Sequence, residues 1–558
     1  MKKCPQCGRE YDNTMMFCLD DGTELLYGPA SMHEPATASE APTRAQIHTT
    51  ERTAVLPSGA GAMLTRKALD KRHLFALLAL ATIVVGGFFG YRYFNSSNSA
   101  TISSVAVLPF ENRSGNSDTD YLSDGLADSL IYRLSQLPNL KVSPTSSVMR
   151  YKGKETDVAQ IAKELNVDAV MSGRLVQRGD DLSISVQLID SRSSKLLWAE
   201  QYDRKLADLL ATQREIAATI ADKLRLKLSG SDQKGITKNY TDNNEAYQNY
   251  LRGRFYWNKR TKDGIEEGIA NFQKAIDLDP NFALAYVGLA DSYSVMPSYG
   301  YMSPTDAMPR SMTAVQQALR IDPELAEAHS TYGLILASQL RWSEAETELK
   351  RALEIDPKSV ESHYKYALQF LVPVGRFDDA IRELKAALEL DPLSIPIGAN
   401  LAGVYAYQRK YDAALEQAQK VYALDPDHAT AIIWLANAYE AKGKYDEAIK
   451  LCETSLPPEN QDSLLIMGSS YARSGRPEET RRIISKLKEM SKTQYVSSYR
   501  LANLYGDLGE KDQAFSALEK SYKEQEWDFT RLKVDPFLDP LRDDPRFKDL
   551  LTRMNLPE

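Results

Sequence analysis

Cysteine is scarce in this chain, with four in 558 residues. Cys4, Cys7 and Cys18 stand together near the start and Cys452 is far from them. So sparse a set excludes a disulfide scaffold. Positive charge is not in excess either: 68 basic against 76 acidic residues give a net charge of -8. A large nucleic-acid surface would need clustered Lys and Arg, which this balance disfavours. Also missing are a P-loop, an HExxH, a G-x-S-x-G and the protein-kinase signature set, so no chemistry of those classes is expected, nor any enzyme activity. Long apolar runs are missing too, with one exception.

That exception runs from Leu74 to Phe94. Its first eighteen residues, through Tyr91, carry no charge. At ~1.5 Å rise per residue, about twenty such residues cross a ~30 Å hydrocarbon core. The run lies too far into the chain for a signal peptide. Arg66, Lys67, Lys71 and Arg72 precede it, and only Arg92 follows before Arg113. Positive flanks stay cytoplasmic. The expectation is a single-pass protein of a bacterial cytoplasmic membrane, with its N-terminus inside and its C-terminal domains periplasmic or otherwise outside. Gly86 and Gly90 form a G-x-x-x-G, a spacing that admits a close helix pair and hence a homodimer.

The opening stretch MKKCPQCGREYDNTMMFCLDDGTEL has thiolates at C-x2-C spacing. Cys18 follows after ten residues, and Asp21 stands where a second C-x2-C would place its last ligand. Thiolates and carboxylates both bind zinc. Some twenty-five residues lack a core of their own, which favours a metal staple. Cys4, Cys7, Cys18 and Asp21 are therefore the candidate structural zinc ligands, with Asp20 as the alternative to Asp21. The stretch, residues 1–26, resembles a small bacterial zinc ribbon. Residues 27–70, rich in Pro, Ala, Ser and Thr, read as a disordered linker before a membrane helix at 71–95.

Residues 101–230 alternate strand-like and helix-like patterns. Ser103–Phe110 reads as a strand, and Leu122, Leu126, Leu130 and Leu134 form one helical stripe. A short strand at Leu140–Val142 and a helix from Val158, capped by Thr156, follow. Two runs then meet across Gly179-Asp180-Asp181, with a third strand from Lys195 and a closing helix from Ile216. The sum is an α+β domain. The segments SVAVLPFENRSG, YLSDGLADSLIYRLSQLPNLKV, ELNVDAVMSGRL and LLWAEQYDR resemble the TolB amino-terminal-like (FlgO-like) domain. That resemblance implies contacts between envelope proteins and carries no catalytic residues. Asp118, Asp120, Asp124 and Asp128 are read as helix-start charge on a solvated face.

From 245 to 525, Asp-Pro pairs end helices at Pro280, Pro323, Pro357, Pro392 and Pro426. The last three intervals, 34, 35 and 34 residues, match the tetratricopeptide repeat (TPR). About eight units start near Glu245, Ala283, Ala326, Val360, Ile395, Ala429, Gln461 and Tyr495. The second carries extra residues, VMPSYGYMS, as a candidate functional tip. Cys452 falls at a core position. Residues 526–558 read as a capping tail. Stacked pairs form a superhelix with a concave groove that binds peptides or proteins. By register, Tyr364, Asn437, Tyr499 and Asn503 face that groove. The whole is thus a multidomain protein: a zinc ribbon, one transmembrane helix, an α+β domain and an all-α TPR superhelical solenoid. Its expected role is a membrane-anchored interaction scaffold or sensor. The alternative is a membrane-tethered signalling or transcription regulator acting through the ribbon.

Overall fold

The computed structural model describes residues 2–3, 10–11 and 102–557, apart from 138, 155, 156, 225 and 227. Two compact units divide between Arg92 and Tyr93. In the first, β1 (Lys2–Lys3) pairs antiparallel with β2 (Glu10–Tyr11). The cysteines Cys4, Cys7 and Cys18, the carboxylates Asp20 and Asp21, the linker, the apolar run and its Gly86 and Gly90 all lie outside the described residues. Among the described residues no helix is long and apolar enough to cross a membrane.

The second unit opens with a mixed sheet. Its strands are β3 (Ser104–Val107), β4 (Glu111–Asn112), β5 (Lys141–Val142), β6 (Ala169–Arg178), β7 (Asp181–Asp190) and β8 (Lys195–Lys205). Between and after them come α1 (Asp120–Ser135), α2 (Thr145–Val148), α3 (Val158–Leu165), α4 (Leu209–Lys223) and α5 (Gly230–Thr237). The order across the sheet is β5-β3-β6-β7-β8, with β4 added along β6. β3 runs parallel to β5 and β6, while β6, β7 and β8 form an antiparallel meander. Alternation decides which face is covered. Leu182, Ile184, Val186 and Leu188 are buried, and the residues between them are not. Gly179 takes the positive φ, 60°, that the tight β6–β7 turn needs. The cap of α3 is Asp157, whose carboxylate accepts from the Ala159 amide, and not Thr156, which is not among the described residues.

Sixteen helices follow as eight antiparallel pairs, the architecture of a TPR solenoid. The first four pairs are α6 (Asn244–Trp257) with α7 (Lys262–Leu278), α8 (Ala283–Val295) with α9 (Pro304–Ile321), α10 (Ala326–Ser338) with α11 (Trp342–Ile355), and α12 (Val360–Tyr366) with α13 (Phe377–Leu390). The next four are α14 (Ile395–Tyr407) with α15 (Tyr411–Leu424), α16 (Ala429–Ala441) with α17 (Tyr445–Ser455), α18 (Gln461–Arg473) with α19 (Pro477–Met490), and α20 (Ser498–Asp507) with α21 (Lys511–Lys523). α12 runs on through a π-helical turn at Ala367–Leu371 to Val374, where Pro373 interrupts the ordinary backbone ladder. Every pair turns through one left-handed residue: Arg260, Gly300, Leu340, Gly375, Arg409, Gly443, Gly475 and Gly509. Glycine is the low-cost residue for that turn. Close helix approach needs glycine elsewhere: a Cβ on Gly253 or on Gly288 would lie 2.6 Å from the Phe272 ring.

The sheet domain lies along the edge formed by the turns between pairs. Lys238 reaches Asp322 at 2.5 Å. Thr241 donates to Asp279. Lys358 donates to the Leu140 carbonyl at 3.2 Å, and Ser146 donates to Asp391 at 2.8 Å. The same Asp residues that end the helices thus carry the domain contact. Asp124 and Asp128 correct the reading of a solvated face. They are 5% and 8% exposed and pair with Lys152 and Arg254 at 2.6 and 3.0 Å. A buried carboxylate requires such a partner. Cys452 is 1% exposed, and burial pushes its thiol up to about 11, so it is inert packing.

Candidate peptide-binding cavity

The first helices of the later pairs, α14, α16, α18 and α20, share one side of the superhelix. Their small residues leave room there. Ala402, Gly403 and Ala406 on α14 face Trp434 on α16, and a Cβ on Gly403 would overlap the Trp434 ring. The result is a cavity of about 250 Å³. Trp434, Ile433 and Leu465 give it apolar walls, and Asn437, Asn503 and Arg500 give it polar ones.

The chain's end forms the far wall. After α21 it folds through Trp527–Arg531, Pro536–Leu541 and α22 (Pro545–Arg553). Leu538, Leu541, Phe547 and Leu550 are 0–2% exposed and share a core with Leu371, Leu401 and Val404. Trp527 donates its ring N–H to Gln369, and Trp342 donates to the Met554 carbonyl at 2.7 Å. Arg409 grips Asp539 through two bonds, one of 2.7 Å. The tail therefore returns from the last pair to the third, fourth and fifth. The winding brings distant pairs together elsewhere as well: the Tyr495 amide donates to the Gly300 carbonyl at 3.2 Å. The inserted loop after α8 is thus not a free tip, since its backbone joins the second pair to the eighth.

Three of the four sequence-derived groove residues line this one cavity. Asn437 donates to the Ile433 carbonyl at 3.0 Å within its helix. Asn503 has its Oδ1 buried and without a hydrogen-bond partner. Tyr499 is 3% exposed and donates to Asp535 at 2.9 Å, so its polar tip is already bound. Tyr364 is not among the residues lining the cavity; its hydroxyl accepts from Asn400 at 3.0 Å.

Sequence reasoning missed the charged ring around them. Arg500 pairs with Asp462 and, at 3.1 Å, with Asp528. Arg531 holds Asp528 at 2.6 Å, donates to the Tyr407 hydroxyl at 2.7 Å and lies 3.8 Å over the Trp527 ring. Burial acts to raise Asp528, but Arg500 and Arg531 outweigh it and hold the carboxyl below its usual range. Glu440, 2% exposed, lines the cavity and has its Oε1 unbonded, with Arg473 at 4.0 Å. Burial pushes Glu440 up to about 8, opposed by Arg473. Burial raises Asp535 as well. The available signal was Arg500 beside Tyr499 and the tail motif WDFTRLKVDPF, whose charges are too many for a plain cap.

Comparisons with known proteins divide the chain the same way. Residues 100–219 match the family described as HilA/YgeH-like transcriptional regulator, second domain. Residues 405–467 and 496–526 match tetratricopeptide-repeat families. The chain therefore carries tetratricopeptide repeats. A putative adenylate cyclase 3 of Rhizobium meliloti is 30% identical over 44% of this chain and 42% of its own length. The transcriptional regulator HilA of Salmonella typhimurium is 23% identical over 42% of this chain and 41% of its own length. The chain thus spans less than half the length of these relatives. A thermophilic TPR protein of Thermus thermophilus is 18% identical, covering 35% of this chain and 99% of the other, with a TM-score of 0.31.

Proposed function

We propose that this protein is a membrane-anchored interaction scaffold whose extracytoplasmic solenoid holds a peptide or protein segment in the cavity between α14, α16, α18, α20 and the tail. The observation that carries this reading is the cavity of about 250 Å³ in a tetratricopeptide-repeat solenoid, walled by Trp434, Ile433 and Leu465 with Asn437, Asn503 and Arg500 beside them. Tetratricopeptide repeats support protein binding as the class of activity. The TolB-like reading of the sheet domain makes it the part that joins other envelope proteins. The reading assigns no chemical step to the chain, and the named cyclase shares less than half its length with it.

The rest of the reading concerns the first unit. The run Leu74–Phe94 places the chain in the cytoplasmic membrane with the solenoid outside, and Gly86 and Gly90 pair two copies. Cys4, Cys7, Cys18 and Asp21 are a donor set that fits zinc, which would supply structure to a segment too short for a core. A second reading is favoured by the HilA-like match at 100–219: the chain is a membrane-tethered regulator, with the ribbon passing the signal inside.

The test is photo-crosslinking in native membranes, with a benzoylphenylalanine at Ile433 in one full-length chain and at Leu196 in another. Leu196 is 53% exposed on the edge strand β8. A discrete adduct from position 433 that disappears with Asn503→Leu supports the scaffold. Adducts from position 196 alone would move the binding site to the sheet edge and overturn the cavity assignment.

A further inference from the structure

A second cavity, of about 240 Å³, lies where the sheet domain meets the first helix pair. Gly125 on α1 and Thr145 on α2 stand on one side. Phe255 near the end of α6, and Asn258 and Lys259 in the turn after it, stand on the other. The charges around this cavity do not cancel. Asp128 accepts from Arg254 at 3.0 and 3.3 Å and from Thr145 at 2.5 Å. Asp124 holds Lys152 at 2.6 Å, and its Oδ1 is buried beyond a ligand's reach. Both carboxylates are therefore satisfied by cations of the wall itself.

Lys259 has no such partner. It is exposed and lines the cavity, and its ammonium makes no ion pair or hydrogen bond with the described residues. It rests instead between two rings, 4.6 Å from the centroids of Phe255 and of Tyr256. Ring faces attract a cation, but a carboxylate binds it more strongly. The Lys152 ammonium lies 5.7 Å from the same Phe255 ring, so two positive groups meet there. Asn258 is exposed too, and its side-chain amide has no hydrogen bond to the described residues. Donors and positive charge are thus left over where solvent reaches, while the acceptors are used up. Gly125, Met149 and Phe255 supply apolar surface behind them. Apolar walls with a few convergent polar groups are the composition of a small-molecule site.

We infer that this junction cavity binds a small carboxylate ligand, with its carboxylate held by Lys259 and Asn258 and its apolar body against Phe255. The site is separate from the cavity between the later pairs and does not depend on the peptide-binding reading. An occupant touches both the sheet domain and α6, so it stabilises their docking by mass action. A cationic ligand would meet Lys259 and Lys152 with no open carboxylate to receive it.

The experiment uses the purified full chain and three probes of one shape: benzoate, neutral benzamide and cationic benzamidine. Ligand-observed NMR titration reads their affinities. Benzoate is expected to bind at least about tenfold tighter than benzamide, the factor one charge-assisted hydrogen bond supplies. Benzamidine should bind weakest. In Lys259→Gln the benzoate advantage should fall to near unity with the benzamide affinity unchanged. Asn258→Ala should weaken benzoate by a smaller factor. Saturating benzoate should also raise the melting temperature of the wild type and not that of Lys259→Gln. Equal binding of benzoate and benzamide to the wild type overturns the inference. A benzoate advantage that survives Lys259→Gln places the anion elsewhere and overturns it as well. So does binding of none of the three, and each of these failures leaves the peptide-binding reading standing.

Discussion

In the first pairs of the solenoid the buried core runs without a break into the sheet domain, from Ile102 through Phe272 to Ile335. Between Ile395 and Ile466 the core largely splits into small patches, each with four buried members, among them Ala399, Ala418 and Ala448. Both regions use the same helix pair. The front fills the space between helices with Tyr250, Phe272 and Phe282, whose rings lie 5.1–5.9 Å apart. The back lets helices touch through alanine and leaves Trp434 facing the cavity. Aromatic filling makes an anchor, and small residues make a thin wall with room beside it. The tail then supplies the back with the partner surface it lacks, through Leu538, Leu541 and Phe547.

The largest expected effect tests the continuity of the front. Phe272→Ala should cost about 3–5 kcal/mol, and the sheet domain and first pairs should lose stability together in thermal unfolding followed by amide exchange. A sheet domain that keeps wild-type protection would break the comparison. Leu435→Ala, 4% exposed in one of the small patches, should cost about 2 kcal/mol, the low end for such a change. Its exchange should rise within 395–455 and not in β6 or β7.

Glu440 sharpens the contrast through pH. Its carboxyl is pushed from an ordinary 4.5 to about 8 by burial. A raised acid holds its proton more tightly folded than unfolded, so its contribution is whole below pH 4.5 and fades as pH climbs toward 8. Glu440→Gln should therefore match wild type at low pH and be the more stable at pH 8, by up to about 4 kcal/mol, in denaturant titrations at several pH values. The smallest effect belongs to a device repeated in consecutive pairs. His329 bonds Glu348 at 2.6 Å and the Pro323 carbonyl at 2.9 Å. His363 bonds Glu383 at 2.6 Å and the Pro357 carbonyl at 3.0 Å. Burial acts to lower both imidazoles, but these partners outweigh it and raise them. Their stabilisation is present below about pH 6.5 and is lost as pH rises through the folded value. His363→Gln should remove on the order of 0.5 kcal/mol at pH 6 and little at pH 8.

The solenoid was legible because its signal is periodic. Asp-Pro ends at a steady interval place each helix pair, and the starts near Ala283, Ala326, Val360, Ile395 and Ala429 are where helices begin. Register also put Asn437 and Asn503 on the inner face. The closure was not legible, because it depends on how far the superhelix winds, and no local pattern encodes a contact between Arg409 and Asp539 or between Gly300 and Tyr495. For the same reason Asp124 and Asp128 read as solvated. Their partners are distant in sequence: Lys152 comes from a later loop of the same domain, and Arg254 meets Asp128 only where the sheet domain docks on α6.

The account rests on the cavity between the later pairs and the tail. Hydrogen–deuterium exchange of the full chain, with and without the segment captured by the crosslinker at position 433, tests it most directly. New protection confined to α16, α18, α20 and residues 527–537 is the predicted result. Protection along β8, with those helices unchanged, would contradict it.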